Sequence, residues 1–308
     1  MNYILIILAD ILLSFEFAFS KKYQSIETNS LAAGLRFNTV SGLFTAIIFF
    51  ALSGFKLDFS AFSVLFALAM SLCAATYSIL GFSVLKKGNM AIYSVFLMSG
   101  GMILPYIFGI LFLNEPLTPL RIIGIIIILF AIILSNKAKG RLKISFLLLC
   151  MVIFLLNGCV SVFSKVHQFN PAGESVTSDP VIQVPTTWAD MTVNAEVFVM
   201  ISGFVKFICC TVALLVILGK NKADFKALPV GKVLPVIALS AVASGTSYLF
   251  QLLGAAKLNG TILYPLVTGG CIVFTALGGW LVYKEKPTKP LVVGMILCVV
   301  GTLFFLRF

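Results

Sequence analysis

Four ionisable side chains stand inside otherwise apolar stretches of this chain: Asp10, Glu16, Arg36 and Lys206. A charge in hydrocarbon is costly unless it is paired, hydrated or neutralised, so each is a candidate for chemistry. Asp10 and Glu16 could take up and release a proton, coupling an ion gradient to another event. Six residues apart on one helix, they project about 120° from each other, and at least one is expected to face a cavity or a basic partner such as Arg36. Arg36 and Lys206 could meet an anionic group on a solute or hold a gate. The structural alternatives are plain. Either base can snorkel to the headgroups, Asp10 can sit near an interface, and Glu16 can pair with Lys21 or Lys22.

Uncharged polar groups gather in a few of the same stretches. Thr76 and Tyr77 fall in one; Tyr93 and Ser99 fall in another, beside Gly100, Gly101, Pro105 and Tyr106. Ser244, Ser247, Tyr248 and Gln251 share helical spacing, and Tyr264 and Thr268 accompany Pro265, Gly269 and Gly270. Asn157 and Ser161 add a further pair. Small residues permit close helix approach and Pro frees a carbonyl that a cavity can use. The alternative for each is a hydrogen bond to a neighbouring helix. His167 is the only histidine, and the seven cysteines have neither metal nor redox spacing. No metal site and no cofactor are expected.

The elements that would position these groups follow from composition. Sixty per cent of the 308 residues are hydrophobic and 11% are charged, more apolar side chain than a water-soluble domain can bury. About twenty apolar residues span a bilayer as a helix. Ten such spans lie at roughly 3–20, 31–53, 61–85, 90–113, 120–136, 143–165, 196–218, 231–254, 260–283 and 289–306. Continuous runs such as Ile122–Leu134 exclude the alternating pattern of a β-barrel. Span 1 lacks a basic flank and a small-residue cleavage site, so a cleavable signal peptide is not expected.

The net charge of +11 invites a nucleic-acid reading that placement removes. Fifteen of the 22 Lys and Arg fall in every second loop, at Lys21/Lys22, Lys86/Lys87, Lys137 to Lys143, Lys220 to Lys232 and Lys284 to Lys289. That face is cytoplasmic by the positive-inside rule, which puts both termini outside.

The chain also repeats itself. Shifted by 170 positions, Lys87, Asn89, Gly100, Gly109, Glu115, Thr118 and Gly124 fall on Lys257, Asn259, Gly270, Gly279, Glu285, Thr288 and Gly294; Arg36 falls on Lys206 and Thr76 on Thr246. Phe19-Ser20-Lys21 meets Phe163-Ser164-Lys165 at a shift of only 144, so about 26 residues are inserted after span 6. The first repeat is read as 1–136 and the second as 143–308, with a polar loop inserted at about 168–195 that includes Trp188, a candidate interfacial anchor. Five spans per half is an odd number, which forces the halves into opposite orientations, an all-α integral membrane fold of two inverted five-helix repeats. Thr118-Pro119 reads as an N-cap followed by Pro at the first position of span 5. Glu115 is expected to favour that same helix end, and Glu285 to do so for span 10.

Two five-span halves, a base near the start of span 2, and the doubled Glu115…Thr118…Gly124 and Glu285…Thr288…Gly294 together resemble the drug/metabolite transporter superfamily, nearest to its EamA-like group. The likeness covers essentially the whole chain. It implies a central cavity between the halves, lined mainly by spans 3, 4, 8 and 9, and movement of small metabolites such as amino acids, sugars or their derivatives, often outward. The long loop after span 6 departs from the family pattern, as does the charge-based topology, since the family usually keeps both termini in the cytoplasm.

The expected function is therefore secondary transport by alternating access in the cell membrane, not enzymatic catalysis. The expected partners are a small-molecule solute and the bilayer, with a monomer possible. Arg36, Lys206, Thr76, Tyr77, Tyr93, Ser99, Ser247, Tyr248, Gln251, Tyr264 and Thr268 are the candidate lining or gating residues. An integral-membrane enzyme acting on lipid would need clustered nucleophile, base or metal ligands near one interface, which this sequence lacks. A non-transporting sensor using the inserted loop is the other alternative.

Overall fold

The computed structural model describes residues 2–27, 30–87, 90–135, 144–168, 191–220, 230–284 and 288–305. Among them stand ten α-helices and no strand: α1 (Asn2–Ile26), α2 (Leu31–Leu52), α3 (Ala61–Lys87), α4 (Met90–Phe112), α5 (Pro119–Ser135), α6 (Ile144–His167), α7 (Ala195–Lys220), α8 (Val230–Ala255), α9 (Gly260–Tyr283) and α10 (Lys289–Leu303). They occupy the ten expected positions. Six of them (α1, α2, α6, α7, α8 and α9) are long and apolar enough to cross a membrane unaided, and the other four carry shorter apolar stretches. At 17 and 15 residues, α5 and α10 are the shortest, roughly 22–26 Å at 1.5 Å per residue. Helix α1 runs beyond its expected end, past Lys21 and Lys22 to Ile26. Lys21 lies over the ring of Tyr283, 4.7 Å from its centroid, a cation–π contact. Most of the inserted segment, Trp188 included, lies outside the described residues, as does Glu285.

Each central helix packs on its own repeat mate: α2 on α7, α4 on α9, and α5 on α10. Several of the remaining contacts come in matched sets. Helix α1 packs on α8 and α9 as α6 packs on α3 and α4, and α3 lies on α7 as α8 lies on α2.

Glycines set how near the paired helices come. A Cβ on Gly42 would lie 2.8 Å from both the Gly203 carbonyl oxygen and the Phe207 nitrogen; one on Gly203 would lie 2.8 Å from the Ala46 nitrogen. Residue 42 thus meets 203 to 207 while residue 46 meets 203, so α2 and α7 run antiparallel. The α5–α10 pair behaves alike: Gly124 meets Gly301 and Phe305, and Gly301 meets Ile127 and Ile128. The repeat mates Ile128 and Cys298 are both fully buried in one core cluster with Met102 and Ile272. Replacing Gly203 by Leu forces backbone apart where no side chain can yield. We expect a loss of about 3 kcal/mol, the upper end of what overpacking usually costs, read as a fall in unfolding temperature and loss of monodisperse protein in detergent.

The ends of α4 and α9 also repeat. Asn114 (φ 50°) and Lys284 (φ 54°) both take the left-handed conformation. Behind them, the N–H groups of Leu113 and Glu115 donate to the Gly109 carbonyl, and that of Lys284 donates to the carbonyl of Gly279, the repeat mate of Gly109. Turning the chain back so sharply carries Glu115 away from the start of α5.

Candidate solute-binding cavity

Glu115 does cap a helix, but not α5. Its Oε1 accepts from the Gly260 N–H and its Oε2 from the Thr261 N–H, both at 2.7 Å, closing the N-terminus of α9. The left-handed Asn114 aims it there, across the α4–α9 contact. Helix α5 is capped by Thr118, whose hydroxyl accepts from the Arg121 N–H (3.4 Å), with Pro119 next, as the sequence implies. Lys165 of α6 completes the cluster. Its Nζ donates to the carbonyls of Ala255 (2.8 Å) and Leu258 (2.6 Å) at the end of α8, and lies 3.9 Å from Glu115 Oε1. Arg121 Nη1 donates to the Pro116 carbonyl and to Thr261 Oγ1. All three charged side chains are buried. Opposite helix ends carry opposite partial charge, so one acid on the α9 start and one base on the α8 end seal the α8–α9 turn.

Beneath this seal lies a cavity of about 630 Å³, lined by α1, α2, α3, α7 and α8, with Val160 of α6. It runs from the α1–α2 turn (Tyr23, Gln24, Ser30) inward to Met70, Val160 and Tyr248. Its floor is hydrogen-bonded: the Tyr248 hydroxyl shares a hydrogen bond with Ser164 Oγ (3.1 Å), and both lie within reach of the Met70 sulfur. Ser164 immediately precedes Lys165, so floor and seal belong to one turn of α6.

Two opposite charges face the cavity, Glu16 from α1 and Lys206 from α7. Lys206 is the cation whose field reaches the Glu16 carboxylate, in place of the Lys21 or Lys22 that sequence offered. Each belongs to a helical stripe of lining groups: Glu16, Ser20 and Gln24 on α1, and Ser202, Lys206 and Cys210 on α7. The Ser202 hydroxyl is buried and has no hydrogen-bond partner among the described residues. Asn38, Thr45, Ser71, Tyr77 and Ser244 complete the polar lining. The i, i+4, i+8 spacing of both stripes is visible in the sequence and would have found Ser20, Gln24 and Ser202, which were missed.

Of the sequence candidates, Glu16, Tyr77, Lys206 and Tyr248 are brought together here, and the others are placed elsewhere. Arg36 pairs with Glu27 (3.9 Å) and its Nε donates to the Ala32 carbonyl; it does not line the cavity and does not meet Asp10 or Glu16. Thr76 is exposed on the outer face of α3. Ser99 and Thr268 are buried outside the cavity lining. Ser247 donates to the Ala9 carbonyl (2.7 Å), and Gln251 donates to Ser247 Oγ (3.2 Å). The Tyr264 hydroxyl donates to the Ser161 carbonyl. Tyr93 sits on α4 with its side chain outside the described set. Asp10 lies in a separate pocket.

The expected lining by spans 4 and 9 gives way to α1, α2 and α7 for a steric reason. Gly100 of α4 abuts the Phe154 backbone of α6, and Gly270 of α9 abuts the Asp10 side chain of α1, each with no room for a Cβ. Those helices spend their small residues on packing. Accordingly Thr76→Val should change transport less than about 2-fold, whereas Tyr77→Ala, which strips an aromatic hydroxyl from the cavity wall, should reduce it about 10-fold or more. Initial rates in proteoliposomes distinguish them.

His167 serves packing. Its ring stacks on Phe198 at 3.6 Å between centroids, and its Nε2 shares a hydrogen bond with Ser63 Oγ (2.8 Å). Among the described residues no cluster of His, Cys, Asp or Glu is suited to a metal.

An all-helical bundle of apolar spans around a charged cavity is a multi-pass membrane protein. The family model of the EamA-like transporter family matches residues 186–307, which takes in α7 to α10 and is less than half of the chain. A solved crystal structure that is 14% identical covers 97% of this chain and 94% of its own, with a TM-score of 0.69, a likeness of fold. No curated protein matches the sequence. The family match points to a membrane transporter.

Proposed function

We propose that the protein is a secondary transporter of a small polar metabolite, such as an amino acid, a sugar or a derivative, working by alternating access in the cell membrane. The observation that carries this reading is the cavity itself: about 630 Å³, bearing Glu16 and Lys206 and reaching one end of the bundle, beneath a seal at the other made by Glu115 and Lys165. By the charge distribution of the loops, the reachable end faces the cytoplasm. The solute is held between the two halves, 1–136 and 143–308, which rock about the α2–α7, α4–α9 and α5–α10 contacts. The matched packing of repeat mates and the antiparallel α2–α7 and α5–α10 pairs support an inverted arrangement of these halves. Lys206 meets an anionic group on the solute; Glu16 meets a cationic group or carries a coupling proton; Tyr77 and Tyr248 supply stacking and hydrogen bonds.

A thermal-shift screen of purified protein against a metabolite library identifies the solute, and counterflow in proteoliposomes tests its movement. Accumulation of labelled solute in vesicles preloaded with unlabelled solute supports the proposal. A solute that binds and is never exchanged overturns it in favour of a sensor built on the same fold.

A further inference from the structure

A second pocket, of about 180 Å³, lies on the other side of α1 and shares no lining residue with the solute cavity. Tyr3, Ile6, Ile7 and Asp10 of α1, Leu266, Gly269, Gly270, Val273 and Phe274 of α9, and Val299 and Thr302 of α10 form it. Ile7 and Val299 are exposed on the outer surface of the bundle, so its rim is where lipid chains would lie.

Asp10 is the one charged residue in that wall. It is 2% exposed, and its Oδ1 has no hydrogen-bond partner among the described residues. The bare backbone of Gly270 makes space for the carboxyl, since a Cβ there would collide with Oδ2; Gly269 does the same for the Thr302 methyl, which a Cβ would meet at 2.6 Å.

The other half of the chain has no acid at the corresponding position. Under the 144-residue shift that relates α1 to α6, Asp10 corresponds to Phe154, whose backbone lies against Gly100, whereas at Gly270 it is the Asp10 side chain that fills the space. A buried carboxyl oxygen without a partner is costly, and the close approach of the two helices comes from the glycine rather than from the acid.

We propose that this pocket binds a small, membrane-partitioning organic ammonium ion, with Asp10 as its counter-ion. The chemistry of the wall selects that class. A carboxylate oxygen lacking a donor meets the N–H groups, and the rings of Tyr3 and Phe274 offer faces that attract a cation. Thr302 Oγ1, which donates to the Val299 carbonyl, keeps acceptor capacity toward the pocket. The apolar residues around them cover an alkyl or aryl body. A bare metal cation is poorly served, because six to eight oxygen ligands are usual for calcium and nearly regular octahedral coordination for magnesium. The volume is below the roughly 300 Å³ at which drug-sized ligand sites begin, which restricts the ligand to a single small ring or short chain.

The test uses full-length protein in detergent with benzylammonium as the probe and benzyl alcohol as its neutral counterpart. Benzylammonium is expected to raise the unfolding temperature saturably, and benzyl alcohol is not. Asp10→Asn keeps the volume and is expected to fold, since it removes a buried charge; it should weaken benzylammonium binding by at least ~10-fold. Thr302→Val should weaken it less, and Lys206→Met, in the other cavity, should leave it unchanged. An equal response to the neutral probe, an undiminished response in Asp10→Asn, or no response in the native protein overturns the proposal. None of these results bears on solute counterflow through the other cavity.

Discussion

Replacing Lys206 by Met is expected to lower solute transport at least ~10-fold, with the unfolding temperature of the purified protein nearly unchanged. A hydrogen bond to a charged partner contributes about 1.5–3 kcal/mol, and each 1.4 kcal/mol is tenfold. The residue stands on the cavity wall with no hydrogen bond or ion pair among the described residues. Its loss therefore removes a contact to solute rather than one inside the fold. Met keeps the aliphatic stem and the packing of α7 on α2. Glu16→Gln should act in the same direction, because it leaves the Lys206 charge without its counterpart across the cavity. Arg36→Ala is the control. It breaks the pair with Glu27 at the α1–α2 turn, an interaction of modest energy at a partly hydrated end, and should cost less than about 5-fold. Initial rates of counterflow for the three variants decide the matter, and native rates in Lys206→Met would remove it from the site.

Glu115→Ala is expected to be the most destabilising single change at the sealed end. It orphans two buried N–H groups at the start of α9 and leaves the Lys165 ammonium without its acid. Breaking a buried ionic pair from one side costs about 3–5 kcal/mol. Lys165→Met should cost less, because Glu115 keeps both N–H donors and loses only an ammonium 3.9 Å away. The double variant should be less damaged than the sum of the two. Thermal unfolding in detergent measures each, and a Glu115→Ala protein as stable as the native one would show that the α9 start is satisfied by other means.

Much of this architecture is legible in the chain. The ten helices follow from runs of apolar residues long enough to cross a bilayer. The repeat that aligns Gly109, Asn114 and Glu115 with Gly279, Lys284 and Glu285 reappears as two left-handed turns of nearly equal φ. Glu16 and Lys206 are conspicuous as charges in apolar surroundings, and both face the cavity.

Partners are harder to read than positions. Glu115 lies four residues before Pro119, so proximity along the chain favours α5. The choice of α9 depends on the backward turn at Asn114 and on α4 lying against α9, and neither is a local property. Arg36 and Lys206 are equivalent in the repeat, yet Glu27 is within reach only of Arg36, and that single acid draws it away from the cavity. Asp10 and Glu16 differ by about 120° around α1, which does place them on different faces. What each face meets is decided by helices far along the chain, α9 for Asp10 and α7 for Glu16. The glycines of α4 and α9 signal close approach correctly, but close approach there means contact with α6 and α1, not an open crevice.

The central claim is that one cavity is reached from either membrane face in turn, with the Glu115–Lys165 cluster as the seal of one of them. Ser202→Cys in a background without the seven native cysteines provides the reporter, because Ser202 lines the cavity. Reconstituted protein is treated with a membrane-impermeant thiol reagent on either side, with and without the Glu115→Gln change. With Glu115 intact, labelling is expected from the side of the α1–α2 turn; with the seal weakened, labelling should appear from the side of the α8–α9 turn. Access from the α1–α2 side alone under every condition, or no access from either, would contradict the account.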